Sequence, residues 1–202
     1  MKVFGKYCPD FPDVYAENYK QFMEALTVES VSAELANHLS VIVDGTDYFE
    51  APASTKYHGA FPGGLFKHSF NVAQYLMHFT EAEHLKWERP CSPLLVGLFH
   101  DFCKIGAYRI VGTYEDSDTN GPEPIIYAHV DGVAGFGGHG ADSLCKLLLE
   151  VPLTREEALC IRWHMGAYET DKWNEFEAAI KVCPNVLWTH HADMCVSKIL
   201  GY

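Results

Sequence analysis

The sequence predicts an all-α domain that carries one small β-hairpin. Three observations predict it. Apolar residues recur at helical spacing through most of the 202 residues. Helix-start signals stand where that spacing begins, at Ser92-Pro93 and at Thr154, which Glu157 follows three residues later. Alternating sequence with β-branched residues is confined to Ala107–Thr113 and Ile125–Val130.

The elements follow in chain order. From Pro12 to Val43 the pattern is that of two helices: Val14, Tyr15, Tyr19, Phe22, Met23 and Leu26 keep helical spacing, and Val31, Leu35, Leu39 and Ile42 keep it again. Asp44 to Gly64 is dense in turn residues, with Asp44-Gly45, Pro52, Ser54, Gly59 and Pro62-Gly63-Gly64, and is expected to be an ordered loop. A helix follows from about Leu65 to Glu83, and the next runs from Ser92-Pro93 to about Ile105. The two alternating stretches flank Glu115–Pro122, so a hairpin insertion is expected over about 107–130. Further helices are expected over about Gly140–Glu150, from Thr154 to about Met165, and from about Val186 to Leu200 after Pro184. No repeat, low-complexity tract or linker divides the chain. A single domain over 1–202 is predicted, with 1–50 as a helical extension on a core at 56–200.

Composition narrows the function classes. Hydrophobic residues are 48% of the chain, too many for a disordered one. For this mass, roughly 9,500 Å² folded against roughly 33,000 Å² unfolded allows one sizeable core. Lys plus Arg is 15 against 27 Asp plus Glu, a charge of −12, and the basic residues do not cluster. That balance disfavours salt-driven binding to long nucleic acid. Neither a secretory signal nor an apolar run near the ~20 residues of a membrane span is visible. Seven cysteines, an odd number without a CxxC pair, fit reduced thiols in a cytoplasmic protein. Cys103, Cys160 and Cys195 lie among apolar residues and are expected to be small core residues.

The informative feature is ionisable residues on core faces. His68 shares a helical face with Val72, Tyr75, Leu76 and Phe79. Asp101 shares one with Leu94, Leu98 and Ile105, His164 one with Cys160 and Ile161, and Asp193 one with Val186, Val196 and Leu200. Isolated carboxylates in one core would cost several kcal/mol each. A shared divalent cation removes that penalty, because it compensates carboxylates and accepts neutral imidazoles.

Several phrases together resemble the HD-domain superfamily of metal-dependent phosphohydrolases. They are Tyr57-His58-Gly59-Ala60-Phe61-Pro62-Gly63-Gly64-Leu65-Phe66-Lys67-His68, Gly97-Leu98-Phe99-His100-Asp101-Phe102-Cys103-Lys104-Ile105-Gly106, Gly138-His139-Gly140, Arg162-Trp163-His164-Met165-Gly166 and His190-His191-Ala192-Asp193. The resemblance covers about Lys56 to Leu200, and its first phrase is closest to the HD domains of bacterial 3′-5′ exoribonucleases and of some relaxase-like proteins. It implies an all-α HD bundle in which His68, His100, Asp101 and Asp193 hold one metal. His139 and His164 would hold a second, with Asp101 bridging, and His129 is close enough in sequence to compete with His139.

The resemblance also implies that Lys104, with Asp101, serves catalysis, and that Lys104 and His58 meet substrate phosphate. His190, one helical turn before Asp193, is expected to orient a ligand or water, whereas His38, His78 and His84 are expected at the surface. Mixed imidazole and carboxylate ligation suits one or two ions of Mn, Fe, Co, Ni or Zn better than Mg. The implied activity is hydrolysis of a phosphate ester by metal-activated water. Without a visible nucleic-acid module, a small phosphorylated substrate is expected, a nucleotide or short oligonucleotide, and no membrane partner. Similar ligand sets also occur in mixed-valent di-iron oxygenases, and a third reading is a non-catalytic regulatory module.

Overall fold

The computed structural model describes residues 11–113, 125–131 and 135–202. The described chain is mostly helical with one two-stranded antiparallel sheet, as predicted. Helix α1 (Pro12–Ala25) opens with proline at its first position, and α2 (Ala33–Val43) opens on Ser32, whose Oγ accepts from the Leu35 amide at 3.1 Å. Both helices send apolar side chains inward. Phe22 of α1 is fully buried, and its ring meets Phe49, Phe66 and Phe99 at 5.4, 6.3 and 6.3 Å between centroids. Residues 11–50 therefore share one apolar core with the rest of the described chain.

Residues 44–63 form the expected ordered loop. Several of its amides bond its own backbone, with Gly63 donating to the Glu50 carbonyl at 2.7 Å and Ala53 to the Gly59 carbonyl at 2.8 Å. Gly63, with φ of 80°, is the N-cap of α3 (Gly64–Ala82). Helix α4 (Ser92–Phe99) crosses α3 so closely that a Cβ on Gly97 would lie 2.3 Å from the Ala73 Cα. That contact brings the start of α3 to the end of α4, where two of the candidate ligands stand.

Helix α4 ends at Phe99, six residues before the predicted Ile105. A short 3-10 turn, Phe102–Lys104, leads into strand β1 (Tyr108–Thr113), which pairs with β2 (Ile125–His129). The predicted hairpin is present, and its Glu115–Pro122 tip lies outside the described residues. Helix α5 (His139–Leu148) packs on α6 (Arg155–Trp163), with Gly140 against the Arg162 carbonyl. Both halves of the predicted capping box form: Glu157 donates its amide to Thr154 Oγ1 at 3.2 Å, and Thr154 donates its amide to Glu157 Oε2 at 2.8 Å.

Helix α7 (Trp173–Val182) is additional to the predicted elements. It buries little, chiefly Phe176 and Ala179, so its apolar stripe is too thin to stand out as periodicity. Helix α8 (Asn185–Cys195) carries Asp193 and passes into a π-helical turn, Val196–Leu200. Among the described residues no helix is long and apolar enough to cross a membrane.

Candidate metal centre

Four segments deliver ionisable side chains to one interior point. His68 comes from α3, His100-Asp101 from the end of α4, His164 from the end of α6, and Asp193 from α8. His68, His100 and His164 are fully buried, Asp101 is 3% exposed, and the Asp193 side chain is 14% exposed. His68 Nε2 stands 3.1 Å from His100 Nε2, 3.5 Å from Asp101 Oδ2 and 3.3 Å from Asp193 Oδ1. His100 Nε2 is 3.4 Å from Asp101 Oδ2, and His164 Nε2 is 3.6 Å from Asp101 Oδ1.

Asp101 reaches this point by a route that helical periodicity does not describe. The expected face shared with Leu94, Leu98 and Ile105 does not exist, because the helix stops before Asp101. His100 keeps helical angles, whereas Asp101 leaves them at φ −101°, ψ 26°. Two successive residues can thus face one site without the 100° separation a helix would impose. The stop has a local cause. His100 Nδ1 donates to the Gly97 carbonyl at 2.9 Å, taking up one of the carbonyls a helix end leaves without an amide. His164 does the same at the end of α6, donating from Nδ1 to the Ile161 carbonyl at 2.8 Å.

These contacts assign the ring protons. An imidazole nitrogen facing a carbonyl carries the hydrogen, so the other nitrogen of a neutral ring carries a lone pair. His68 is held likewise, its Nδ1 donating to the Tyr202 main-chain carbonyl at 3.0 Å. All three rings therefore present a bare Nε2 to the same interior point. The 3.1 Å contact between His68 and His100 sets two lone pairs against each other. His164 Nε2 and Asp101 Oδ1 are buried without a hydrogen-bond partner. Such a group of acceptors calls for a cation, and His/carboxylate donors suit a divalent transition metal. Two sets of ligand atoms, one from His68, His100 and Asp101 and one from His100, His164 and Asp193, each lie within 4.8 Å of one another and could hold a metal.

Lys104 is also in this site, in an unexpected state. It is only 6% exposed, and its Nζ sits 2.7 Å from Asp101 Oδ2. The sequence predicts a cation free to meet an oxyanion; the structure places it in a buried ion pair. Burial works against the Asp101 carboxylate, but the Lys104 ammonium beside it holds its carboxyl well below the usual range. Burial likewise opposes the Lys104 charge, and Asp101 and Tyr108 overcome it, so its pKa rises.

His139 begins α5 on the exposed side of the centre. Its Nδ1 is 3.8 Å from Cys103 Sγ, and their ligand atoms and that of Asp101 fall within 4.8 Å of one another. His129 is engaged elsewhere, its ring 5.0 Å from that of Tyr108. Cys103 was expected among core residues; it instead borders the site, and nothing in its apolar sequence neighbourhood signals that. Burial and then the Asp101 carboxylate push its thiol up to about 12. Cys160 is fully buried, as expected.

The loop residue His58 lies against His68, with ring centroids 5.1 Å apart and a buried Nδ1 that has no partner. Burial, reinforced by the Lys104 charge, lowers its pKa to about 4. His190 contacts the His164 carbonyl through Nδ1 at 2.8 Å, so it braces the end of α6 rather than Asp193. His38, His78 and His84 are exposed, as predicted.

Tyr202 is a contributor absent from the predicted site. Gly201, at φ 79°, accepts from the Gly59 amide at 3.3 Å and turns the chain so that the next carbonyl meets His68. Deleting Tyr202 is expected to weaken metal binding about 10- to 100-fold, the usual effect of removing a group that orients a ligand. Tyr202→Ala keeps the main-chain oxygen and is expected to bind as tightly as the parent protein. Zinc titration with a competing chelator checks both variants.

Comparison with protein-family models, with curated proteins and with solved structures returned no match in any of the three.

Proposed function

We propose that this chain is an HD-type metal-dependent phosphohydrolase acting on a small phosphate ester, a nucleotide or a short oligonucleotide. The observation that carries the reading is the convergence of three bare Nε2 atoms, from His68, His100 and His164, on the buried Asp101 carboxylate and the partly buried Asp193 carboxylate. One or two divalent transition ions bound there would supply an ionised water at neutral pH and Lewis acidity toward a phosphoryl oxygen. His68, His100, Asp101 and Asp193 would hold one ion, and His139 and His164 a second with Asp101 between.

The remaining residues act on substrate. Lys104 Nζ, 2.7 Å from Asp101, carries positive charge to the edge of the ligand set, where charge develops on phosphoryl oxygen. His58 offers its unpartnered Nδ1 as a hydrogen-bonding group beside that same edge. The charge of −12 favours a compact substrate over long nucleic acid, whose phosphates it would repel.

The test is release of phosphate and nucleoside from a panel of nucleotides, cyclic nucleotides and short oligonucleotides with Mn²⁺, run beside Asp101→Ala. Hydrolysis that disappears in the variant supports the proposal and names the substrate class. Silence across the panel with metal shown to be bound overturns it in favour of oxygenase or regulatory chemistry.

A further inference from the structure

We propose that Cys103 is a metal ligand, joining Asp101 and His139 in a thiolate-containing half of the centre that takes a thiophilic divalent ion such as zinc or cobalt. The inference rests on the proposed metal centre and adds to it a ligand and a metal preference.

Geometry supports the assignment first. A tetrahedral zinc with Zn–S of about 2.3 Å and Zn–N of about 2.0–2.1 Å sets sulfur and nitrogen about 3.5–3.6 Å apart. Cys103 Sγ and His139 Nδ1 are 3.8 Å apart without an ion between them. All three ligand atoms fall within 4.8 Å of one another, so a small adjustment closes the set.

A second observation is independent of the thiol. Asp101 is 3% exposed, and its Oδ1 has no hydrogen-bond partner, whereas its Oδ2 is taken up by Lys104. A buried carboxylate oxygen without a donor is a ligand atom in want of a cation.

The backbone around Cys103 is also held in place. Ser143 Oγ accepts from the Cys103 amide at 3.1 Å, and Lys146 Nζ donates to the Cys103 carbonyl at 2.8 Å. His139, Ser143 and Lys146 follow at i, i+4 and i+7 on α5, so one helix face presents the imidazole to the thiol and clamps the turn that carries it. Cys183 Sγ, by contrast, donates to Glu156 Oε1 at 3.9 Å, and Cys160 is fully buried.

Chemistry sets the ion class. A thiolate selects zinc, iron or cobalt over magnesium and manganese. On binding, the thiol proton leaves to solvent as the sulfur–metal bond forms, with no change of oxidation state.

The test is a cobalt titration of the full-length metal-free protein, followed by absorption spectroscopy. A near-ultraviolet thiolate-to-cobalt charge-transfer band is expected in the parent protein. It should be absent in Cys103→Ser, which should bind the second ion more than about 10-fold more weakly. X-ray absorption of the zinc-loaded parent protein requires no variant and should show a sulfur scatterer at about 2.3 Å. Cobalt bound without the charge-transfer band, or a band that persists in Cys103→Ser, overturns the ligand while leaving the centre intact. No cobalt bound at all overturns the centre and this ligand with it.

Discussion

Replacing Asp101 by alanine is expected to remove metal binding and turnover together. Asp101 Oδ2 faces His68, His100 and Lys104 within 3.5 Å, and its Oδ1 is 3.6 Å from His164 Nε2. Losing a group that merely orients a ligand costs about 10- to 100-fold in affinity, and losing the shared carboxylate should exceed that. The variant also leaves Lys104 buried without its partner, a loss of about 3–5 kcal/mol in stability. The sign of the pH dependence follows from the depressed Asp101 carboxyl. Its contribution is fully present above the unfolded-state value and is lost only as pH falls through the lower folded value. The comparison at pH 7 therefore reads the whole effect. Asp101→Asn keeps the side-chain shape, and circular dichroism of both variants separates lost metal from lost fold. Retained activity in Asp101→Ala would sink the proposed site.

Arg89→Ala is expected to destabilise the protein by about 3–5 kcal/mol, far more than its partly exposed position suggests. Its partner is the reason. Glu157 is fully buried, and Arg89 donates to both carboxylate oxygens, from Nε to Oε1 and from Nη2 to Oε2, each at 2.7 Å. Ser92 Oγ donates to Oε1 at 2.7 Å, and the Thr154 amide to Oε2 at 2.8 Å. Removing Arg89 leaves the carboxylate in the interior with its hydrogen bonds but without its countercharge. Glu157→Ala should cost less, about 2–4 kcal/mol, because Arg89 can turn to solvent. The double variant should then cost less than the sum of the two. Urea unfolding of all four proteins measures the coupling; additive losses would show that the pair is not a unit.

The capping box illustrates how far local sequence reaches. Thr154 and Glu157 are three residues apart, and both hydrogen bonds follow from that spacing. Arg89 is 68 residues from Glu157, and no local pattern announces it. The same division runs through the candidate site. His68, His164 and Asp193 stand out in the sequence because each interrupts an apolar helical stripe. Asp101 was found for a reason the structure overturns, since its helix ends at Phe99, before the supposed face is complete.

What the sequence by itself determined is the helical class, the hairpin, most helix starts and the ionisable residues that converge. These are legible because periodicity, caps and turn residues act over a few positions. Tertiary structure alone decided which nitrogen each imidazole turns inward, for that depends on the acceptor behind it. Tyr202 lies 134 residues from His68, and the Gly97 and Ile161 carbonyls are freed only where their helices end. It also decided that Cys103 borders the centre and that Lys104 is buried against Asp101. Both outcomes depend on how α5 and the 102–104 turn pack, which is long-range chain geometry that no short window of sequence contains.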